Sequence, residues 1–219
     1  MRFDATTPPQ GTLRDWIDAR AERGGTAFVF PETGQTLTWL DLREHCATVA
    51  ADLTAQGIAK GESIAVMHPN GYDGVKALFS VLYGGFRVTM LNLAAGPDAL
   101  GYAMDHSSAR VAFVHEKQLE VFNQVKPESL NLYASTGQHS ELHSVSSKDD
   151  ALLMYTSGTT GKPKGVMLTH ENVLSGGKNV MVSHKLTSSD IAMCVLPLYH
   201  INGLIVTVMG PLVSQSLIV

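Results

Sequence analysis

The residues best suited to chemistry lie together between Tyr155 and Gly165, in the run YTSGTTGKPKG. Three glycines there let the backbone turn tightly and expose its N–H groups, while four Ser or Thr hydroxyls and two lysines add further donors. Such a set of donors is suited to a polyphosphate. A solvated turn between two strands is the competing interpretation, because the same residue types are common in turns. The density of donors favours phosphate binding.

The loop differs from the phosphate-binding loop of nucleotide triphosphatases, whose pattern is G-x-x-x-x-G-K-[ST]. Only two residues separate Gly158 from Gly161, and Lys162 is followed by Pro163 instead of Ser or Thr. A proline at that place also disfavours helical geometry at the preceding lysine. The sequence therefore predicts a phosphate loop of another kind.

A second candidate group is the pair Tyr199 and His200, in the stretch VLPLYHINGL at 195–204. From the residues alone, a histidine bound to a backbone group at the start of a helix is the favoured interpretation. His139 and His143 are four residues apart, but the polar, loop-like context around them disfavours a metal site.

Alternating strand and helix patterns must position these groups. The stretch 151–155 (ALLMY) is a short apolar run that predicts a buried strand, and strand-like runs alternate with helical apolar spacing between 61 and 114. This βαβ rhythm predicts an α/β fold with mostly parallel sheets covered by helices. Ahead of it, Thr38 and Asp41 fit a capping box at the start of a helix. Ligands of such sheets bind beyond the carboxyl ends of strands, where the glycine-rich loop begins.

The same patterns divide the chain into an N-terminal α/β subdomain at 1–133, a polar surface connection at 134–150 and the start of a second subdomain at 151–219. The second subdomain carries both candidate groups. The last residues, SLIV, predict the opening of a buried strand with no further layer to cover it. A truncated piece of a longer protein is therefore expected.

Composition narrows the function classes. With 219 residues, 44% of them hydrophobic, the chain can bury a sizeable core. Its net charge of −4 and the absence of Lys or Arg runs disfavour nucleic-acid binding. No apolar stretch is long enough to predict a membrane span, so a cytoplasmic protein is expected. Cys46 and Cys194 fit small buried hydrophobic residues better than a disulfide or a zinc site.

The longer run YTSGTTGKPKGVMLTHENV resembles the signature phosphate loop of the adenylate-forming superfamily, which includes acyl- and aryl-CoA synthetases, luciferases and peptide synthetase adenylation domains. The stretch 61–114 is similar to the N-terminal sheet of that family, and 195–204 resembles its next core motif, which lines the acyl pocket. The resemblance covers essentially the whole chain. The later family motifs are missing: the acidic motif, the ribose-binding Asp, the hinge and the lid with its catalytic Lys.

The resemblance implies the chemistry of that family. Its members join a carboxylate to ATP with Mg²⁺, release pyrophosphate and form an acyl-adenylate, and the synthetases then pass the acyl group to coenzyme A. Matched by position, the implied ATP-phosphate contacts are Thr156, Ser157, Gly158, Thr159, Thr160 and Lys164. Thr156 is also implied as a candidate magnesium contact, whereas Lys162 occupies a position that varies in the motif. Tyr199 is implied to wall the acyl pocket, with His200 as the catalytic residue beside the substrate carboxylate.

This sequence differs in two ways from the peptide synthetase adenylation domains of the family. Peptide synthetase adenylation domains usually carry Asp where this sequence has His200, and the following INGLIVTVMG holds no charged residue to bind an ammonium group. The resemblance therefore favours the N-terminal fragment of an acyl- or aryl-CoA synthetase, inactive by itself, over an amino-acid adenylation domain. The expected partners are a carboxylic acid, ATP, coenzyme A and the missing C-terminal part. A non-catalytic nucleotide- or acyl-binding module and an interaction protein, in which the loop is only a turn, remain as alternatives.

Overall fold

The computed structural model describes residues 9–156 and 163–219. Its α-helices are α1 (Leu13–Arg23), α2 (Trp39–Ala55), α3 (Tyr72–Gly84), α4 (Pro97–His106), α5 (Leu119–Val125), α6 (His170–His184), α7 (Ile201–Leu204) and α8 (Gly210–Ser214). Its strands are β1 (Thr26–Phe30), β2 (Gln35–Thr38), β3 (Ser63–Met67), β4 (Arg87–Met90), β5 (Val111–Val114), β6 (Asn131–Leu132), β7 (Asp150–Thr156), β8 (Lys164–Thr169), β9 (Ile191–Ala192) and β10 (Leu217–Ile218). A short 3₁₀ turn and a π-helical segment are also present at Glu116–Gln118 and Ile205–Met209.

Six of the described strands form one sheet in the order β6-β5-β3-β4-β7-β8. All neighbours in this sheet run parallel except β7 and β8, which are antiparallel. Every residue of the central strand β3 is buried, as expected for a strand covered by helices on both faces. The predicted α/β class is confirmed by this arrangement.

A smaller sheet joins the two ends of the chain in the order β2-β1-β10-β9. β1 and β2 form an antiparallel hairpin, and β10 lies parallel to both β1 and β9. Both sheets therefore combine strands from before and after the 134–150 connection. The division into subdomains at 1–133 and 151–219 stays a prediction.

The helix α2 begins where its sequence predicts. Thr38 and Asp41 form a reciprocal capping box, in which the Thr38 hydroxyl lies 2.6 Å from the Asp41 carboxylate. The side chains of Leu42, Cys46 and Leu53 are fully buried, and this face of the helix packs inward against α3. Cys46 is thus a buried hydrophobic residue, and burial raises the pKa of its thiol to about 12.

The 134–150 connection is fastened to α2 by one buried carboxylate. Asp52 accepts hydrogen bonds from the backbone N–H of Thr136 at 2.9 Å, from its hydroxyl at 2.6 Å, and from the Tyr133 hydroxyl at 2.9 Å. Burial opposes the charged form of Asp52, but these hydrogen bonds outweigh it and lower the pKa of the carboxyl group. His143 also lies close, with Nε2 2.9 Å from the Ile58 carbonyl oxygen. This polar segment therefore runs along the surface and is held to the fold by hydrogen bonds at Thr136 and His143.

A buried arginine joins α1 to α8. Arg20 donates from Nε to the Leu212 carbonyl at 2.8 Å and from Nη2 to the Val213 carbonyl at 2.9 Å. Its guanidinium group also lies 5.2 Å from the ring centroid of Trp16. Burial lowers the pKa of Arg20 to about 10, which still leaves the group charged at neutral pH. Arg20 therefore satisfies carbonyls at the end of α8 that have no acceptor role within that helix.

We expect Arg20→Met to destabilise the chain. Methionine keeps the apolar stem but leaves two buried carbonyls without donors, which should reduce the free energy of unfolding by about 2–4 kcal/mol. Urea unfolding followed by tryptophan fluorescence measures this change. Arg23→Met is the matched control, because Arg23 is exposed in the last turn of the same helix and should change stability by less than about 0.5 kcal/mol. Equal losses in the two variants would contradict the assigned role of Arg20.

Candidate functional site

The antiparallel pair β7 and β8 forms the stem of the predicted phosphate loop. In the ladder Thr156 is opposite Lys164, and Tyr155 is opposite Gly165. The Thr156 hydroxyl donates to the Lys164 carbonyl at 3.5 Å, and both residues are exposed. Two of the predicted phosphate contacts are therefore brought together at the open end of the stem. The remaining ones lie outside the described residues: Ser157, Gly158, Thr159 and Thr160.

The stem leaves the sheet on the side where ligands of parallel sheets bind. β7 runs parallel to β4, with Leu152, Leu153 and Met154 opposite Val88, Thr89 and Met90. The loop therefore starts at the carboxyl end of a strand in the parallel part of the sheet, as the sequence predicts.

A cluster of aromatic residues supports the first strand of the stem. The Tyr155 hydroxyl lies 2.9 Å from Nδ1 of His106, which is the last residue of α4. Tyr102, one helical turn earlier, stacks on His106 with ring centroids 5.3 Å apart. Burial, assisted by Tyr102, raises the pKa of Tyr155 to about 12, so this phenol stays protonated at neutral pH. His106 and Tyr102 belong to no motif visible in the sequence, where their only signal is helical spacing.

Gly165 leaves room for this cluster on the second strand of the stem. A Cβ atom at Gly165 would lie 3.0 Å from Cδ1 of Leu153 and 3.5 Å from Cε1 of Tyr155. A larger residue would therefore press on the strand that leads into the loop. Gly165 thus lies within β8 and serves close packing there, whereas the sequence predicts a role for it in the turn.

The helix α6 comes directly after the stem and is capped by Thr169 and Asn172. Its first residue, His170, is fully buried, and its Nδ1 accepts a hydrogen bond from the Leu13 N–H at 3.2 Å. Because Nδ1 accepts, the neutral ring carries its proton on Nε2, for which the described residues provide no hydrogen-bond partner. Burial lowers the pKa of His170 to about 4, against the opposing effect of Asp149.

The pair Tyr199 and His200 lies beyond β9, at the start of α7. Their ring centroids are 4.9 Å apart, Tyr199 is half-buried and His200 is exposed. The backbone N–H of His200 donates to the Pro197 carbonyl at 3.0 Å, but its imidazole does not cap the helix. The interpretation from the residues alone, a histidine ring bound to the backbone at a helix start, is therefore wrong. The ring faces outward beside Tyr199.

The helix α6 connects the two candidate groups. It packs against β7 and β8 on one side and against the π-helical segment and α8 on the other. Gly177 allows this approach, because a Cβ atom there would lie 2.6 Å from the Met209 carbonyl oxygen. The stem and the segment after His200 are thus held by the same helix, although each pair of residues forms a separate group.

An exposed apolar surface lies beside Tyr199 and His200. It consists of Ile191, Met193, Val195, Leu196 and Ile201, and is called the 191–201 apolar surface below. Met193 is 69% exposed and Val195 is 71% exposed. Large neighbouring apolar side chains with this exposure are unusual on a monomeric protein and indicate a surface that another element covers.

The described ranges 9–156 and 163–219 contain neither a cluster of metal ligands nor a membrane-spanning helix. Over those ranges no three His, Cys, Asp or Glu side chains are grouped as metal ligands require. Within the same ranges, the helices are too short or too polar to cross a membrane.

Comparison with known proteins gives consistent results. A sequence model of the family described as "AMP-binding enzyme" matches residues 16–219. The chain is 36% identical over 237 aligned residues to a sulfoacetate–CoA ligase from Cupriavidus necator, covering 99% of this chain and 47% of that protein. It is 32% identical to a feruloyl-CoA synthase from an Amycolatopsis species, covering 88% of this chain and 40% of that protein.

The fold is also found among solved structures. A long-chain-fatty-acid–CoA ligase from Archaeoglobus fulgidus superimposes with a TM-score of 0.86 at 26% identity. That match covers 100% of this chain and 48% of the other. The chain spans about half the length of the relatives it matches.

The buried imidazole of His170 makes the stability of the chain depend on pH. Its pKa is about 4 in the folded chain and 6.5 when unperturbed, so between these values the unfolded chain binds the extra proton. The free energy of unfolding therefore falls as the pH falls from 6.5 towards 4. His170→Asn keeps an acceptor for the Leu13 N–H but does not titrate. We expect the unsubstituted chain to lose roughly 2 kcal/mol more than this variant between about pH 7.5 and pH 5.

Urea unfolding at the two pH values tests this expectation. His139→Asn is the control, because His139 is exposed and its replacement should leave the pH dependence unchanged. Equal acid destabilisation of the His170→Asn variant and the unsubstituted chain would show that another group is responsible.

Proposed function

Because the chain belongs to the AMP-binding enzyme family, we propose that it is the N-terminal part of an ATP-dependent ligase that joins a carboxylic acid to coenzyme A through an acyl-adenylate. The observation that carries the proposal is the pairing of Thr156 with Lys164 at the open end of the β7–β8 stem. This pairing presents a hydroxyl group and an ammonium group together where a strand of a parallel sheet ends. The names of the relatives, which are CoA ligases and synthases, support the same reaction class.

In the first proposed step, an oxygen of the substrate carboxylate attacks the α-phosphorus of ATP. The new C–O–P linkage forms as the bond from the α-phosphorus to the pyrophosphate oxygen breaks, so negative charge grows on the leaving group. The ammonium group of Lys164 and the donors of the loop would stabilise that charge. Mg²⁺ bound with ATP would supply further positive charge, and the exposed Thr156 hydroxyl offers it an oxygen ligand of the kind it prefers.

In the second proposed step, the thiol sulfur of coenzyme A attacks the acyl carbon of the adenylate. The C–S bond forms, the C–O bond to the phosphate breaks, AMP leaves with the bonding electrons, and the thiol proton is released to solvent. His200 is assigned to the first step. It would lie at the carboxylate end of the acid, where its outward-facing ring can donate a hydrogen bond to the carboxylate oxygen that attacks the α-phosphorus. Tyr199, half-buried beside it, forms a wall of the same site.

The class of acid is inferred from the side chains near His200. Ile201 and the residues after it carry no charge, so an ammonium group of an amino acid would find no counterion there. An acyl or aryl acid is therefore favoured over an amino acid. One relative is named a sulfoacetate–CoA ligase and another a feruloyl-CoA synthase. Sulfoacetate and ferulate are therefore the first acids to compare.

The proposed ligase needs more chain than these 219 residues. The chain spans about half the length of its relatives, and the 191–201 apolar surface is suited to packing against the remainder of such an enzyme. The chain by itself is therefore proposed to be inactive. The complete ligase is proposed to act in the cytoplasm. A non-catalytic module that only binds a nucleotide or an acyl group is the second candidate, because the same stem could hold phosphates without turnover.

Exchange of labelled pyrophosphate into ATP tests the first step. We expect the complete ligase to support exchange with a fatty acid, ferulate or sulfoacetate, but not with aspartate. The 219-residue chain alone should support none. Exchange with an amino acid only would favour an adenylation domain, and no exchange with any acid would favour the non-catalytic module.

Replacement of Lys164 tests the loop. We expect Lys164→Ala in the complete ligase to slow adenylation roughly ten- to thousandfold, the range typical of losing one preorganised donor to a charged transition state. The matched control is Lys162→Ala, because Lys162 occupies the variable position of the resembled motif and should have a smaller effect. An exchange rate that Lys164→Ala leaves unchanged would reject the assignment.

A further inference from the structure

We propose that Asn70 is a positioning residue for the carboxylic acid site, because its side-chain amide holds the segment that carries Tyr199 and His200. Nδ2 of Asn70 donates to the Leu196 carbonyl at 2.9 Å, and Oδ1 accepts from the Leu198 N–H at 3.0 Å. The inference rests on the proposed function, since it names a further residue of the same site.

The two hydrogen bonds use both ends of one planar group. They bind the backbone on either side of Pro197, so the amide acts on this segment as a neighbouring strand would. Its partners are 126 and 128 residues away along the chain. Two bonds from one rigid group fix the direction of the segment as well as its position.

Asn70 is itself held on a rigid base. It lies shortly after the fully buried strand β3, and the next residue, Gly71, has a φ of +142° and precedes the first turn of α3. The Gly71 carbonyl accepts from the Val75 N–H at 3.0 Å, which starts that helix. Glycine is needed at this φ, so the turn that aims Asn70 is specified locally.

Hydrogen bonds are important for the segment 195–200, because several of its side chains are exposed and are not held by packing. Val195 is 71% exposed and Leu196 is 45% exposed, whereas Leu198 is buried. On the other side, Gly203 lies so close to Pro197 that an added Cβ atom would be 2.2 Å from its carbonyl oxygen. The segment before His200 is therefore held between the amide of Asn70 and the first turn of α7.

Two variants of Asn70 separate the contributions of the amide. Asn70→Ala removes both hydrogen bonds, while Asn70→Asp keeps the acceptor for Leu198 but places a carboxylate oxygen against the Leu196 carbonyl. Both should loosen the segment. Asn131→Ala is the matched control, because Asn131 is an exposed asparagine whose side chain, within the described part of the chain, bonds only to the nearby Ser129 carbonyl.

The first measurement is amide hydrogen exchange of the 219-residue chain. We expect exchange of the segment 195–204 to accelerate about tenfold or more in Asn70→Ala and Asn70→Asp, with exchange of β3 and β7 unchanged. The Asn131→Ala control should match the unsubstituted chain. Unchanged exchange in 195–204 would overturn the proposal.

The second measurement is pyrophosphate exchange by the complete ligase at varied concentrations of acid and ATP. We expect the KM for the acid to rise about tenfold in both Asn70 variants, while the KM for ATP stays within about twofold. The reason is that Thr156 and Lys164, which are assigned to ATP, lie on β7 and β8 and not on the segment that Asn70 holds. Equal changes in both constants would indicate a general structural defect and would reject a positioning role.

The two measurements also separate this proposal from the proposed function. A complete protein that supports no exchange with any acid would reject the ligase, and the hold of Asn70 on its segment would then be decided by hydrogen exchange alone. Faster hydrogen exchange with an unchanged KM for the acid would reject the assignment of Asn70 to the acid site.

Discussion

The pairing of β7 with β8 is the interaction on which the rest of the candidate site depends. β7 belongs to the parallel part of the large sheet through β4, and the reversal into β8 forces the chain to turn at the carboxyl edge. Thr156 and Lys164 are opposite each other only because the ladder keeps its register up to that edge. A shift by one residue would turn each of these side chains to the other face of the sheet. The buried residues of β7 and the aromatic support at Tyr155 oppose such a shift.

The same reversal also positions the helix after the stem. β8 delivers the chain into α6 at the capped residues Thr169 and Asn172, and α6 then lies against the π-helical segment. A π-helical turn is wider than an α-helical one and commonly occurs at functional positions. Here the Thr207 hydroxyl bonds to the Gly203 carbonyl at 2.5 Å, which joins α7 to the π-helical segment. The position of His200 thus depends on packing that begins at the β7–β8 stem.

Much of this architecture could be predicted because its determinants are local. The capping box at Thr38, the alternation of strands and helices between 61 and 114 and the apolar strand at 151–155 act over a few residues, and each lies where the sequence predicts. The contacts that position the candidate site act over long separations instead. His106 and Tyr155 are 49 residues apart, and Asn70 meets its partners 126 and 128 residues away. Neither contact has a periodicity or a motif that a single sequence can display.

The small sheet illustrates the same limit. The sequence predicts a strand at SLIV but leaves it uncovered, whereas β10 lies between β1 and β9 and Ile218 is buried. The two-residue strand β9 is too short to show an alternating pattern at all. The small sheet therefore depends on the tertiary fold, whereas the large sheet arises from runs of buried residues. The phosphate contacts Ser157, Gly158, Thr159 and Thr160 remain predictions, since they lie outside the described residues.

The exposure of the stem supports the proposal that this chain is inactive by itself. Lys164 and most of β8 face solvent, and water weakens the field of an ammonium group strongly. Two unit charges about 4 Å apart interact by about 1 kcal/mol in bulk water and by about 4 kcal/mol at the lower effective dielectric of a protein surface. The ladder brings Thr156 and Lys164 together in this chain, but in the proposed ligase the charge of Lys164 would act at full strength only where another part of the enzyme excludes water. On this proposal, the chain supplies the geometry of the stem, whereas electrostatic stabilisation of the leaving group requires a further element that covers the stem.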